Sequence, residues 1–208
     1  MSRRMVNLTL DNLGELAHRC RSCVFWELDP LGGERACANG TQELDKEAWV
    51  SDTLLEWGCC GQLAYVDAVP AGHVLYAPPA YVPRSVAFPT SPISPDAVLL
   101  MSARLAPEFA GAGLGRMLVQ GMARDITRRG IKAIEAFGRT AVVTEDSPRG
   151  CLLPAEFLLA VGFKTVRPHP YTPRLRLDVK SLVTWREDVE YALERLLGSM
   201  HLPALARR

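Results

Sequence analysis

Polar and apolar positions alternate first in "VNLTL" (Val6 to Leu10), the period of a short strand. "NLGELAHRC" (Asn12 to Cys20) predicts a helix with Leu13, Leu16 and Ala17 on one face. "QELDKEAWVSDTLLEWG" (Gln42 to Gly58) predicts a second helix, stopped by Gly58 as its C-terminal cap. The segment between them, with Gly32, Gly33 and Gly40, reads as a loop.

From Gly61 the period becomes that of strands. "QLAYVDA" and "HVLYAP" flank "VPAG", where Pro70 and Gly72 predict the turn of an antiparallel hairpin. Ala77 to Pro95 carries six prolines, which exclude a helix or central strand and predict a long irregular loop, a semi-rigid wall of a binding site or a plain surface connection. "AVLLMSARL" (Ala97 to Leu105) is nearly all apolar, as a strand buried on both faces is. Leu114, Met117, Leu118, Met122 and Ile126 then recur at helical spacing until Gly130, and "IKAIEAFG" follows as a strand. A strand, glycine loop, helix and strand in that order imply a crossover and a parallel strand pair. "PAEFLLAVG" predicts a helix with Pro154 in its first turn and Gly162 past its end. "FKTVRP" and "RLRLDV" are strand candidates, and "TWREDVEYALERLL" reads as a last helix opened by the Thr184 and Glu187 capping box. Residues 1–180 thus read as one α/β domain and residues 181–208 as a C-terminal helix packed on it or on a partner.

A net charge of +1, with Lys and Arg spread along the chain, disfavours nucleic acid as a partner. No stretch approaches the ~18 apolar residues of a membrane span, and the N-terminus lacks an apolar leader core, so a cytoplasmic protein is expected. The six cysteines are then expected to be reduced.

The densest chemical signal is "LAPEFAGAGLGRMLVQ" (Leu105 to Gln120), with Gly111, Gly113 and Gly115 ahead of a helix. A helix N-terminus offers unpaired N–H groups and partial positive charge, and glycines let a backbone approach an anion closely, so the stretch fits a diphosphate. A dinucleotide fingerprint needs glycine where Arg116 stands, and a P-loop needs Gly-Lys-Ser/Thr where Gly115, Arg116 and Met117 stand, so both are excluded.

With its preceding strand, the stretch resembles the acetyl-CoA-binding motif of the GNAT N-acyltransferase superfamily, whose pattern runs Val-x-Pro-Glu-Tyr-Arg-Gly-x-Gly-x-Gly/Ala. Here Leu105, Ala106, Pro107, Glu108, Phe109, Ala110, Gly111, Ala112, Gly113, Leu114 and Gly115 occupy it. The element order from about residue 7 to 177 agrees, and "AVGF" (Ala160 to Phe163) is similar to the family's Leu-Gly-Phe helix ending. The resemblance implies a mixed, mostly antiparallel sheet with a central parallel strand pair and flanking helices. It implies acetyl-CoA as cosubstrate and a primary amine of a small molecule or protein as acceptor, with a homodimer among the assemblies. It places Leu105 and Ala106 against the pantetheine, and Gly111, Ala112, Gly113, Leu114, Gly115 and Arg116 around the pyrophosphate. Two positions depart from the pattern: Ala110 replaces the usual Arg or Gln, and Leu158 stands where the family often has a tyrosine as general acid.

Direct transfer to an amine requires a base near it. Glu135, a charge in an apolar strand, is the first candidate, and Tyr171 is a candidate replacement acid or a residue packed against the neighbouring prolines. His73, Tyr76 and Asp67 rank second, and Asp96 reads as a strand-end cap. Cys20-Arg-Ser-Cys23 has zinc-ligand spacing, which His18 or Cys59 and Cys60 would complete. Three functions therefore stand open: acetyl transfer, a CoA-binding regulatory module without turnover, and a zinc-stabilised interaction protein.

Overall fold

The computed structural model describes residues 2–109, 113–140 and 151–179, with the Arg116 side chain excepted. The predicted C-terminal helix with Thr184 and Glu187, like Ala110, Gly111 and Ala112, lies outside them. Among the described residues eight strands form one sheet. They are β1 (Arg3–Asn7), β2 (Gly61–Val66), β3 (Val69–Ala77), β4 (Ala97–Leu105), β5 (Ala133–Arg139), β6 (Leu153–Pro154), β7 (Lys164–Arg167) and β8 (Arg174–Asp178). Their order is β1-β2-β3-β4-β5-β8-β7, with β6 against the end of β5. Apart from this short β6 contact, the parallel pair is β4 with β5, and the other neighbours run antiparallel.

Two apolar cores cover the two faces. Helix α4 (Leu114–Arg128) and helix α5 (Ala155–Ala160) bury Leu114, Leu118, Ile126 and Phe157 against Val74, Leu100 and Ile134 on the first face. The phenol of Tyr76 donates to Asp125 of α4 at 2.8 Å, fixing the helix on the sheet. The second face carries α1 (His18–Arg21), α2 (Pro30–Asn39), α3 (Gln42–Glu56) and the proline-rich loop, with Leu63, Leu75, Leu99 and Phe137 beneath them.

The N-terminal half departs from the alternation pattern in four places. The first strand ends at Asn7, because the Asn12 side chain accepts from Thr9 N–H at 2.8 Å and donates to the Asn7 carbonyl at 2.9 Å, turning the chain. Asn12 to Cys20 is a 3₁₀ turn (Leu13–Glu15) and the short α1, separated by extended backbone at Leu16 and Ala17. The predicted loop holds α2: Asp29 caps Gly32 N–H at 2.7 Å, Pro30 occupies the first turn, and Gly40 closes the helix at φ 68°. Those caps outweigh the roughly 1 kcal/mol that each internal glycine costs a helix. The hairpin turn lies at Asp67 and Ala68, both at positive φ, so Pro70 and Gly72 belong to β3. Pro70 is accommodated where a bulge at Ala64/Tyr65 interrupts the ladder.

A buried ion pair organises the second face. Lys46 of α3 bonds Glu27 and donates to the Cys23 carbonyl at 2.9 Å, while Glu27 accepts from Trp26 N–H at 3.2 Å. Both side chains are almost fully enclosed. The pair locks residues 23–27 onto α3, and Trp26 stacks on Phe88, which stacks on Phe137 of β5 at 4.2 Å. Removing one partner of such a pair strands a charge at a cost of about 3–5 kcal/mol. We expect Lys46→Met to lower unfolding free energy by roughly that amount in urea titrations, and Lys46→Met/Glu27→Leu to recover at least about half of it.

Candidate active site

Strands β4 and β5 pair only at Ala97–Ala133, Val98–Ile134 and Leu99–Glu135. Beyond Leu99, β4 runs on to Leu105 and β5 to Arg139 without pairing to each other. Met101 is the extra residue of a bulge, since Leu75 pairs with Ser102 and Tyr76 with Leu100. The bulge reverses the faces: Leu99 and Met101 point to the second core, whereas Ala103 and Leu105 point to the first. A wedge therefore opens between the strand ends, with an unpaired backbone edge on β4.

Ala106 N–H donates to the Ala71 carbonyl at 2.9 Å, so its amide faces β3. Backbone groups alternate along a strand, which turns those of Leu105 and Ala103 toward the open edge. Of the two residues predicted to meet pantetheine, Leu105 presents both backbone groups to the wedge, and the Ala106 amide is already bonded. Gly113 begins α4 in the left-handed region at φ 73°, where an L side chain is strained. Gly113 has no side chain to cap the helix, and its first bond runs from Met117 N–H to the Gly113 carbonyl at 3.2 Å. The amides of Leu114, Gly115 and Arg116 thus have no helical acceptor, the arrangement an anion fills. Gly111, Ala112 and the Arg116 side chain lie outside the described residues.

Glu135 is placed differently from its predicted role. It is fully buried on the second face, bonded to Arg174 at 2.7 Å, Arg176 at 3.3 Å and the Ser94 amide at 3.2 Å. Arg176 also forks onto Asp96 at 2.8 and 2.9 Å, which holds the Asp96 carboxyl below its ordinary range. This network ties β5, β8 and the end of the proline loop together, and it leaves Glu135 no open approach to an amine. Tyr171 is 57% exposed and borders His169, with its carbonyl accepting from Thr140 N–H just beyond β5. Leu158 is fully buried among apolar side chains of the first core, so no phenol stands at that helix position. Asp67 forms the hairpin turn and bonds the Ser2 amide at 2.6 Å.

On the opposite face a cavity of about 500 Å³ is lined by Cys23, Phe25, Glu34, Cys37, Arg84 and Cys151. Arg84 comes from the proline-rich loop and lies 4.6 Å from the Phe25 ring centroid. Trp49 Nε1 donates to the Tyr81 carbonyl at 2.6 Å, and Thr90 Oγ1 to the Thr172 carbonyl at 2.9 Å, so the loop is pinned at both ends. The sequence carries no signal for this cavity, because α2, which walls it, has the glycines of a loop.

The Sγ atoms of Cys23 and Cys151 approach to 3.1 Å. The Cys151 hydrogen bond, offsetting burial, holds the Cys23 thiol down at about 7, and the same bond pushes Cys151 up. The contact shares one proton, and either sulfur can be its donor. All six thiols are free. Among the described residues no three His, Cys, Asp or Glu side chains gather as metal ligands; Cys23 lines the cavity and Cys20 packs in the second core.

The fold is that of GNAT N-acetyltransferases. A PaiA N-acetyltransferase from Thermoplasma acidophilum, solved with coenzyme A, matches 86% of this chain and 99% of its own at TM-score 0.54 and 14% identity. An N-acetyltransferase from Staphylococcus aureus Mu50 matches the same shares at TM-score 0.52 and 10% identity. Ard1 from Thermoplasma volcanium matches 86% and 98% at TM-score 0.50 and 11% identity. Neither a protein-family model nor a curated protein sequence matches the chain.

The shared proton makes a measurable claim. Alkylation of Cys23 by iodoacetamide, followed by peptide mass spectrometry against pH, is expected to rise with a midpoint near 7. Cys151→Ala should move that midpoint upward toward the ordinary thiol value. Cys60, which burial holds at about 12, should stay unlabelled at neutral pH.

Proposed function

We propose that this chain is a CoA-dependent N-acyltransferase of the GNAT superfamily that transfers acetyl from acetyl-CoA directly to a primary amine. The observation that carries this reading is the wedge between β4 and β5, opening beside the uncapped N-terminus of α4. The Leu105 backbone edge would hold the amide-bearing pantetheine arm as an added strand would, and the amides of residues 114–116 would take the pyrophosphate. The acceptor amine would approach the thioester from the second face. A small molecule and a protein amine both remain within this reading.

The acid and base assignments change with the geometry. The leaving thiol of CoA has a pKa near that of cysteine, about 8.5, so the thiolate departs near neutral pH without a donor, and Leu158 is no obstacle to turnover. Glu135 acts as the clamp on β5, the amine loses its proton through water, and Tyr171 is kept as the candidate acid. A second reading, a CoA-binding module without turnover, draws on the same buried Leu158.

Isothermal titration with acetyl-CoA, followed by thiol release over amines, amino acids, aminoglycosides and polyamines, separates these readings. Binding with turnover of at least one acceptor is expected; tight binding with a flat panel favours the module, and no heat at millimolar acetyl-CoA sinks both. Gly113→Val should weaken acetyl-CoA binding by about tenfold or more and lower stability by roughly 1–2 kcal/mol, because it strains the left-handed residue. Unchanged affinity would place the phosphates elsewhere.

A further inference from the structure

Two sulfurs that the proposed reaction does not use meet at the wall of the cavity on the second face. Cys23 Sγ and Cys151 Sγ lie 3.1 Å apart, although 128 residues separate them in the chain. Their backbones are fixed on both sides. The Cys23 carbonyl accepts from the buried Lys46 at 2.9 Å, and Phe25 and Trp26 follow it edge to face, with ring centroids 5.0 Å apart. Leu152, next to Cys151, is 1% exposed in the second core, and Leu153 pairs with Gly138 of β5. Helix α3 and the sheet therefore hold the two sulfurs in contact.

A disulfide bond is about 2.05 Å long, so the pair has only about 1 Å left to close, within reach of side-chain rotation. Both sulfurs are half-buried, and the cavity of about 500 Å³ beside them has room for a small solute. The other thiols stand differently: Cys20 and Cys60 are buried in the second core, Cys59 donates to the Gly61 carbonyl at 3.0 Å, and Cys37 lies exposed on α2. The electrostatics agree with the geometry. The Cys151 contact lowers the Cys23 thiol to about 7, whereas burial raises Cys20 and Cys60, so the reactive thiolate form is favoured at the cavity.

We propose that Cys23 and Cys151 form a redox-active dithiol that reduces a hydroperoxide admitted to the cavity and closes into a reversible disulfide. One thiol gives up its proton and its sulfur attacks a peroxide oxygen: an S–O bond forms, the O–O bond breaks, and the other oxygen leaves with that proton as alcohol, or as water from hydrogen peroxide. The second sulfur attacks the resulting sulfenic acid: the S–S bond forms, the S–O bond breaks, and hydroxide leaves with the second thiol's proton as water. Two thiols and one hydroperoxide thus give a disulfide, an alcohol and a water, the two sulfurs supplying the two electrons that the peroxide takes. A partner sulfur in contact traps the sulfenic acid before further oxidation to sulfinic acid. An external thiol restores the pair by exchange. Nothing in this chemistry depends on acyl transfer.

The test treats the reduced full-length chain with about one equivalent of hydrogen peroxide near neutral pH, blocks remaining thiols with N-ethylmaleimide, and maps the products by mass spectrometry. A loss of about 2 Da, a peptide pair joining Cys23 to Cys151, and recovery of both thiols with dithiothreitol are expected. Cys37→Ser should form the same bridge. Cys151→Ser should instead leave a sulfenic acid at Cys23 that dimedone traps, passing to sulfinic acid as peroxide is raised.

Three results would overturn the proposal. One is a principal bridge to Cys37, the other cysteine on this cavity. Another is sulfinic acid at Cys23 of the wild type while Cys151 is still alkylated. The last is six alkylated thiols after about a tenfold excess of peroxide that oxidises free cysteine in the same buffer.

Discussion

The geometry of this protein depends on a parallel contact that stops after three residue pairs. Had β4 and β5 paired along their whole lengths, their backbone groups would be satisfied and the sheet would be closed. Instead the Met101 bulge twists β4 away just after the last pair, and its Leu105 end is left with an unbonded edge. An unpaired edge in the middle of a sheet costs hydrogen bonds, so the fold holds the strands apart by other means. On the first face Leu114 and Leu118 of α4 pack beneath the opening, and on the second the Trp26, Phe88 and Phe137 stack packs against β5.

Charge supplies the rest of that restraint. Glu135 lies at the last pair, where the wedge begins, and its bonds to Arg174, Arg176 and the Ser94 amide fix β5 against β8 and against the chain that leads into β4. An apolar residue at that position would pack, but it could not fix the lateral position of β5 by directional bonds. Buried ion pairs add little net stability against such a substitute, so their effect here is read as positional. The Lys46 and Glu27 pair acts similarly at the cavity, where the Lys46 bond to the Cys23 carbonyl places the Cys23 thiol beside Cys151.

The sheet, the crossover and the start of α4 are legible because each has a local signal: period two in β2 and β3, an apolar run in β4, and Gly113 before a helical period in α4. Gly58 and Gly130 likewise stand at positive φ where helices stop. The cavity was not legible, since α2 declares itself through the Asp29 and Gly40 caps and not through an apolar stripe. Glu135 misled for a related reason. A lone charge in an apolar strand reads as a catalytic acid or base when its partners, Arg174 and Arg176, lie some forty residues away in the chain. The Cys23 and Cys151 approach spans 128 residues and has no sequence signature.

These placements bear on how the chemistry would be divided. A thiolate leaving group makes the protonated acid the least demanding role, and the loss of a phenol at Leu158 falls on that role. The harder requirement is an amine that is neutral when it meets the thioester. Glu135 is committed to Arg174 and Arg176, so that proton would leave through water.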